Sequence, residues 1–258
     1  MRSNSTIILV ALLAGCASTP DDPLVWSDEL ARSLPREHGA VVEVARFSSA
    51  PPGAVRKPWE PYLVLRGNVP TDYRVVETDA GRVLASESHE GGSGLYRKIR
   101  IDPKRNPVLE WRWKVPSDEN MKWETSSRAS PMVRLSLAFD GDASKLDFED
   151  RTKLRLAKVL TVNGLPYASL LYVWMPGVPA ETVLNSPHTD RVRMVVVQSG
   201  TQRVGEWVTL RRNVAEDYRR AYGEEPGDIV AVGLMTDPGD DGSPRRGYYG
   251  DITFRSAP

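Results

Sequence analysis

The stretch Leu109-Glu110-Trp111-Arg112-Trp113-Lys114-Val115 decides the fold class. Its apolar residues alternate with charged ones, and a period of two is what a strand with one buried and one wet face requires, because successive side chains point to opposite sides of a sheet. That parity places Trp111 and Trp113 in the core. Val133, Leu135, Leu137 and Phe139 repeat the pattern. Leu170-Leu171-Tyr172-Val173-Trp174-Met175 is apolar without a break, which predicts a central strand covered on both faces. Further out, runs of the same kind fall at 41–47, 62–65, 73–77, 82–86, 95–101, 108–115, 132–139, 168–175, 192–197, 207–211, 229–235 and 249–254, punctuated by Gly, Pro, Asn and Asp. The runs at 73–77 and 82–86 flank Thr78-Asp79-Ala80-Gly81, a polar link that closes a hairpin. One helix starts at Asn213, with Glu216 as its capping partner, and stops at Gly223; a second lies between Lys145 and Leu160. The expectation is an all-β, jelly-roll-like β-sandwich with two short helices.

The 258 residues carry 34 Lys plus Arg against 34 Asp plus Glu, a formal charge of zero. A general nucleic-acid binder needs a basic field that this chain lacks, so no nucleic-acid partner is expected. At the amino terminus an apolar run over Ile7–Ala14 is too short to span the roughly 30 Å hydrocarbon core. It reads as the apolar region of a secretory signal. It ends in Leu13-Ala14-Gly15-Cys16, which resembles the lipobox of bacterial lipoproteins, where the thiol of the cysteine takes diacylglycerol and the residue becomes the new amino terminus. Cys16 is the only cysteine, so no intramolecular disulfide can form. The implied organisation is a lipoprotein signal peptide over 1–15, lipidated Cys16 and a Pro-, Asp- and Ser-rich tether over 16–39, and a single sandwich domain over 40–258. Ala17 after the cysteine resembles the sorting pattern of lipoproteins sent to the outer membrane, which implies anchorage by lipid with the domain facing the periplasm.

Familiar catalytic patterns are missing. Gly91-Gly92-Ser93-Gly94-Leu95 lacks the last glycine of a nucleophile elbow. His38, His89 and His188 stand far apart with no zinc-binding helix motif, and no glycine loop is spaced to cradle a phosphate. The alternating carboxylates of jelly-roll glycosidases and the Gln-x-His string of jelly-roll lyases are also absent. Asp237-Pro238-Gly239-Asp240-Asp241-Gly242 offers Asp237, Asp240 and Asp241 as candidate Ca²⁺ ligands, with a solvated acidic turn as the plain alternative; no other cofactor is expected.

The outward positions of two neighbouring runs carry Tyr96, Lys98, Arg100, Glu110, Arg112 and Lys114. Guanidinium forks and aromatic planes on a sheet face suit an oligosaccharide, the forks bonding hydroxyls or carboxylates while rings stack on a pyranose. The candidate ligand-binding set is Tyr96, Arg97, Lys98, Arg112 and Lys114, with Tyr172 and Trp174 as stacking rings and Trp59 and Trp123 as exposed platforms. Polysaccharide binding is therefore the leading expectation. A polysaccharide hydrolase or lyase is the second, with Asp237, Tyr249 and Asp251 meeting near one sheet end. A lipoprotein that docks an envelope protein partner without catalysis is the third.

Gly92-Ser93-Gly94-Leu95, Leu109-Glu110-Trp111-Arg112-Trp113-Lys114-Val115, Leu170-Leu171-Tyr172-Val173-Trp174, Arg212-Asn213-Val214, Gly223-Glu224-Glu225-Pro226-Gly227, Met235-Thr236-Asp237 and Tyr249-Gly250-Asp251-Ile252 together resemble a bacterial domain-of-unknown-function family, number 3047. The resemblance runs over about residues 45–255 and implies a secreted or lipid-anchored all-β protein. It carries no catalytic residues to transfer. Relatives continue the Met-Thr-Asp string with Asp-Asn-Thr where this chain has Pro238-Gly239-Asp240-Asp241.

Overall fold

A computed structural model describes residues 33–63, 69–89, 92–117, 130–153, 166–187, 189–238 and 242–257. Two sheets face each other. The first runs in the order β1 (Arg36–Glu37), β7 (Ser93–Ile101), β14 (Ile229–Met235), β9 (Arg134–Phe139), β10 (Ala168–Met175), β12 (Val192–Ser199) and β11 (Val183–Asn185). β4 (Trp59–Leu63) shares the outer edge of β7 with β1. The second runs β13 (Val208–Asn213), β8 (Val108–Lys114), β15 (Arg245–Arg255), β6 (Gly81–Ser88), β5 (Asp72–Thr78) and β3 (Gly53–Ala54), and β2 (Val41–Ala45) pairs β15 beyond the end of β6. β5 and β6 form the expected hairpin, in register from Asp72 opposite Glu87 to Thr78 opposite Gly81. The jelly-roll-like β-sandwich is the fold.

The alternation in β8 does what its sequence demands. Leu109, Trp111, Trp113 and Val115 are buried between the sheets, while Glu110, Arg112 and Lys114 face outward. Trp111 stacks on Tyr172 of the facing sheet, with ring centres 5.2 Å apart, and meets Trp113 edge-on at 5.4 Å. β10 lies between β9 and β12 and is covered on both faces, inward by the main core and outward by Val178 and Val196 against Val173 and Met175. Burying a side chain of this size contributes about 1.5–3 kcal/mol, so the interiors of β8 and β10 are large contributors to the stability of the fold.

The helix Val214–Tyr222 crosses one end of the sandwich. Asn213 Oδ1 accepts the Glu216 amide at its start, and Gly223 closes it at φ 70°, where a side chain would be strained. Of the second expected helix, residues 148–153 are helical, Lys145 instead ends a 3-10 turn over Ala143–Lys145 with Leu146 extended after it, and residues 154–160 lie outside the described residues. Fixed structure begins earlier than the tether reading predicts. Arg36 and Glu37 pair in parallel with Arg100 and Ile101, and Arg36 Nη2 donates to Asp228 Oδ2 at 2.8 Å.

Candidate functional site

The outward residues of β8 lie in a row with their neighbours on β13 and β15. Around Glu110 the row is closed by ion pairs, to Arg255 at 2.6 Å and Arg211 at 3.2 Å. Around Arg112 it opens into a patch of another kind. The Arg112 guanidinium lies 4.6 Å over the Trp207 ring, Trp207 stands 6.5 Å from Tyr248, and Lys114 is paired in register with Tyr248. All four residues are partly buried and reach the surface. Arg112 Nη2 is steadied by donating to the Ala80 carbonyl at 3.1 Å. The guanidinium also needs the glycine at 250. A Cβ there would stand 2.5 Å from Arg112 Cγ, closer than non-bonded atoms tolerate.

The predicted set is dispersed over three surfaces. β7 and β8 follow one another in sequence but belong to opposite sheets, so Tyr96 and Lys98 face outward on one side of the sandwich and Arg112 and Lys114 on the other. Tyr96 is 8% exposed and donates to Glu60 Oε2 at 2.8 Å, and Lys98 Nζ stands 3.7 Å from the same carboxylate. Arg97 points the other way, inward with Leu95 and Ile99. Tyr172 and Trp174 are fully buried in the core, where their inward parity and the facing β8 indoles hold them; they cannot stack on a sugar. The Tyr172 hydroxyl donates to Asp217 Oδ2 at 2.9 Å and the Trp174 indole to the Gly200 carbonyl at 2.8 Å. Trp59 is packed beside Phe47 and is 9% exposed, so it is no open platform, and Trp123 lies outside the described residues. Trp207 and Tyr248 were missed as site residues. Their only signal was an aromatic just before one strand, β13, and another within a distant strand, β15.

The end of the first sheet holds a buried polar network. Thr236 Oγ1 bonds both Ser86 Oγ at 2.6 Å and the Tyr249 hydroxyl at 2.8 Å, and Tyr249 also donates to the Met235 carbonyl at 2.8 Å. Beside it Arg134 Nη2 donates to Asp237 Oδ2, and burial pushes the Arg134 pKa down to about 10. Burial pushes the Tyr249 phenol well above its ordinary value. A general base has to reach its substrate, and Tyr249 is fully buried with its oxygen already engaged. Asp251 is held elsewhere, accepting the Ser48 amide at 2.9 Å and the Ser48 hydroxyl at 2.5 Å. Asp237, Tyr249 and Asp251 thus do not form the catalytic group expected of a hydrolase or lyase. Asp237, 6% exposed, is committed to Arg134 rather than to a loop cation, and Asp240 and Asp241 lie outside the described residues. Among the described residues no three His, Cys, Asp or Glu side chains gather as a metal site would need.

Met235 and Thr236 therefore meet Tyr249 in this network, while Gly250 borders the Arg112 patch. The family described as "Protein of unknown function (DUF3047)" matches residues 57–253. The chain belongs to it. Arg112, Trp207 and Tyr248 fall within the DUF3047 region. No curated protein matches the chain. Among solved structures, the glycoside hydrolase domain of Endo-D from Streptococcus pneumoniae is 8% identical with a TM-score of 0.35, over 76% of this chain. The chain spans only 21% of that protein's length. The family GH12 endoglucanase 3 of Trichoderma harzianum is 8% identical with a TM-score of 0.39, over 80% of this chain and 94% of that one. A non-crystalline-cellulose-specific carbohydrate-binding module, CBM28, is 9% identical with a TM-score of 0.36, over 79% and 89% of the two chains.

Proposed function

We propose that this DUF3047 domain binds polysaccharide on the outer face of its second sheet, through Trp207, Tyr248, Arg112 and Lys114, while a lipid on Cys16 holds it at the periplasmic side of the outer membrane. The observation that carries the binding reading is the partly buried Trp207 ring at the surface with a guanidinium layered 4.6 Å from it and a second aromatic 6.5 Å away, all set on sheet strands or directly beside one. Groups mounted on strands hold their geometry better than groups on loops. Aromatic rings supply apolar area to a pyranose face, and Arg112 and Lys114 supply donors to its hydroxyls or carboxylates. The anchoring reading rests on Leu13-Ala14-Gly15-Cys16. Several acyl chains on one residue give stable attachment where a single chain gives only marginal binding.

Titration against a panel of neutral and acidic bacterial polysaccharides tests the first part. Saturable binding to one class is expected, with the polymer left at its original length. Trp207→Ala should weaken it about tenfold or more, ~1.4 kcal/mol or above, in a variant that still melts cooperatively, because the ring lies at the surface of the sheet and is only partly buried. Binding that survives in the folded Trp207→Ala variant would move the site off this face, and no retention of any polysaccharide would favour an envelope protein as the partner. Shortening of the polymer would restore the enzyme reading. For the anchor, Cys16→Ser should shift the protein from the membrane fraction to the soluble one.

A further inference from the structure

The surface around Trp207 carries positive charge that its own carboxylates do not balance. Arg112 and Lys114 stand two residues apart on β8, which places their Cα atoms about 7 Å from each other on one outward face. The register of Val208 with Trp113 sets Trp207 beside Lys114, and Tyr248 flanks Lys114 from β15. Arg112 rests on neutral partners, the Ala80 carbonyl and the Trp207 ring. Among the described residues neither cation forms an ion pair with a carboxylate. The neighbouring acids are engaged elsewhere: Glu87 with Arg246, Asp72 with Arg74, and Glu206, directly before Trp207, with Arg203. Glu110 is shared between Arg211 and Arg255, so the positive surplus continues one step further along β8. Asp79, next to Ala80 in the hairpin turn, is exposed and pairs with neither Arg112 nor Lys114. A hydroxyl offers such a cation little more than the water it displaces, whereas an anion offers a charge-assisted hydrogen bond about twice as strong as a neutral one.

We propose that the polysaccharide bound on this face is acidic, with a negatively charged substituent of its sugars, a uronate carboxylate or a sulfate or phosphate ester, docked between Arg112 and Lys114. This class rests on the polysaccharide reading of the Trp207 face and deepens it. Trp207 and Tyr248 hold the apolar side of a sugar whatever its charge, and the two cations select polymers that bring the counter-charge.

Matched polymers separate charge from backbone. The full-length chain is titrated by calorimetry with polygalacturonate and its carboxyl-reduced form, and with dextran sulfate and dextran. At least one acidic member should bind about tenfold or more tightly than its neutral partner. Raising the salt from about 0.05 M to about 0.5 M should remove most of that difference. A preference within the first pair assigns a carboxylate, and one within the second an ester-borne anion. Lys114→Gln should lower the preference about threefold or more, and it is the sharper single variant because Arg112 also layers on Trp207. Arg112→Gln combined with Lys114→Gln should abolish the preference. Lys145→Gln, on an exposed turn following β9 of the other sheet, should leave it unchanged. Equal affinity within both pairs, binding confined to neutral polymers, or a preference that survives the double variant would each overturn the acidic class. In those cases weaker binding in Trp207→Ala would still uphold the polysaccharide reading, whereas no binding in either pair or across the wider panel would overturn both.

Discussion

Gly250 shows how one missing side chain can place another. Arg112 runs along the outer face of the second sheet through the space a Cβ at 250 would fill, 2.5 Å from Cγ and 2.7 Å from Nε. Gly250→Ala must therefore push the guanidinium off Trp207 or strain the strand, and overpacking of this kind costs about 1–3 kcal/mol. Both effects are measurable, as a lower melting temperature and as weaker polysaccharide retention. The clash has a single partner, so in an Arg112→Ala background the same Gly250→Ala change should cost almost nothing. A full cost in that background would place the conflict with the backbone instead. Tyr172 and Trp174 make the opposite point. Their run is apolar on both parities, and a two-sided run cannot say which rings reach water, so both were candidates for stacking and both turn out fully buried. Trp174→Ala should cost about 3–5 kcal/mol, as expected for a core indole, and unfold the domain before any change in ligand binding can be read.

At the scale of elements, the helix Val214–Tyr222 was legible because its ends are written in local chemistry. Asn213 accepts the Glu216 amide and donates through Nδ2 to Glu216 Oε1 at 2.8 Å, an approximate capping box. Asn213→Ala should cost about 1 kcal/mol of stability, read as a drop in the denaturant midpoint without a change in slope. Strands were equally legible wherever one face is wet, as in β8 and β9, because alternation is a local property. Sheet membership is not local. β7 and β8 each announce an outward basic face, yet the chain between them crosses from one sheet to the other, so residues that read as one surface stand on opposite sides of the molecule. The same limit hid the Arg112 patch, since Trp207, Arg112 and Tyr248 come from three segments whose adjacency exists only through the register of β13, β8 and β15. Arg97 was legible as a cation but not as an inward one, because its parity with Leu95 and Ile99 was outweighed by its basic neighbours Lys98 and Arg100.

Across the whole molecule, a formal charge of zero hides a dense internal pairing. The helix end of the sandwich is tied by carboxylates from one segment to guanidiniums of another: Glu181 to Arg212 at 2.7 Å and Arg220 at 2.9 Å, and Glu224 to Arg191 at 2.7 Å. Hydrogen bonding to Arg212 is the main reason the Glu181 carboxyl sits below its ordinary pKa of 4.5. Glu224 is also depressed, the pull of Arg191 and of the Tyr218 and Tyr167 hydroxyls outweighing its burial. A carboxyl with a folded pKa below its unfolded one binds its proton more readily when unfolded, so it contributes stability above the unfolded value that is lost as pH falls through the folded one. The melting temperature should hold level from neutral pH down to about 5 and then fall through the carboxylate range as these pairs protonate. Each pair is partly solvent-exposed and worth little alone, so the slope belongs to the set. Arg191→Met combined with Arg212→Met should flatten the acid limb while lowering the plateau, because the carboxyls left behind return toward their unfolded pKa. An acid limb of unchanged steepness in that double variant would assign the pH dependence to other carboxylates, and the ties across the helix end would then serve geometry alone.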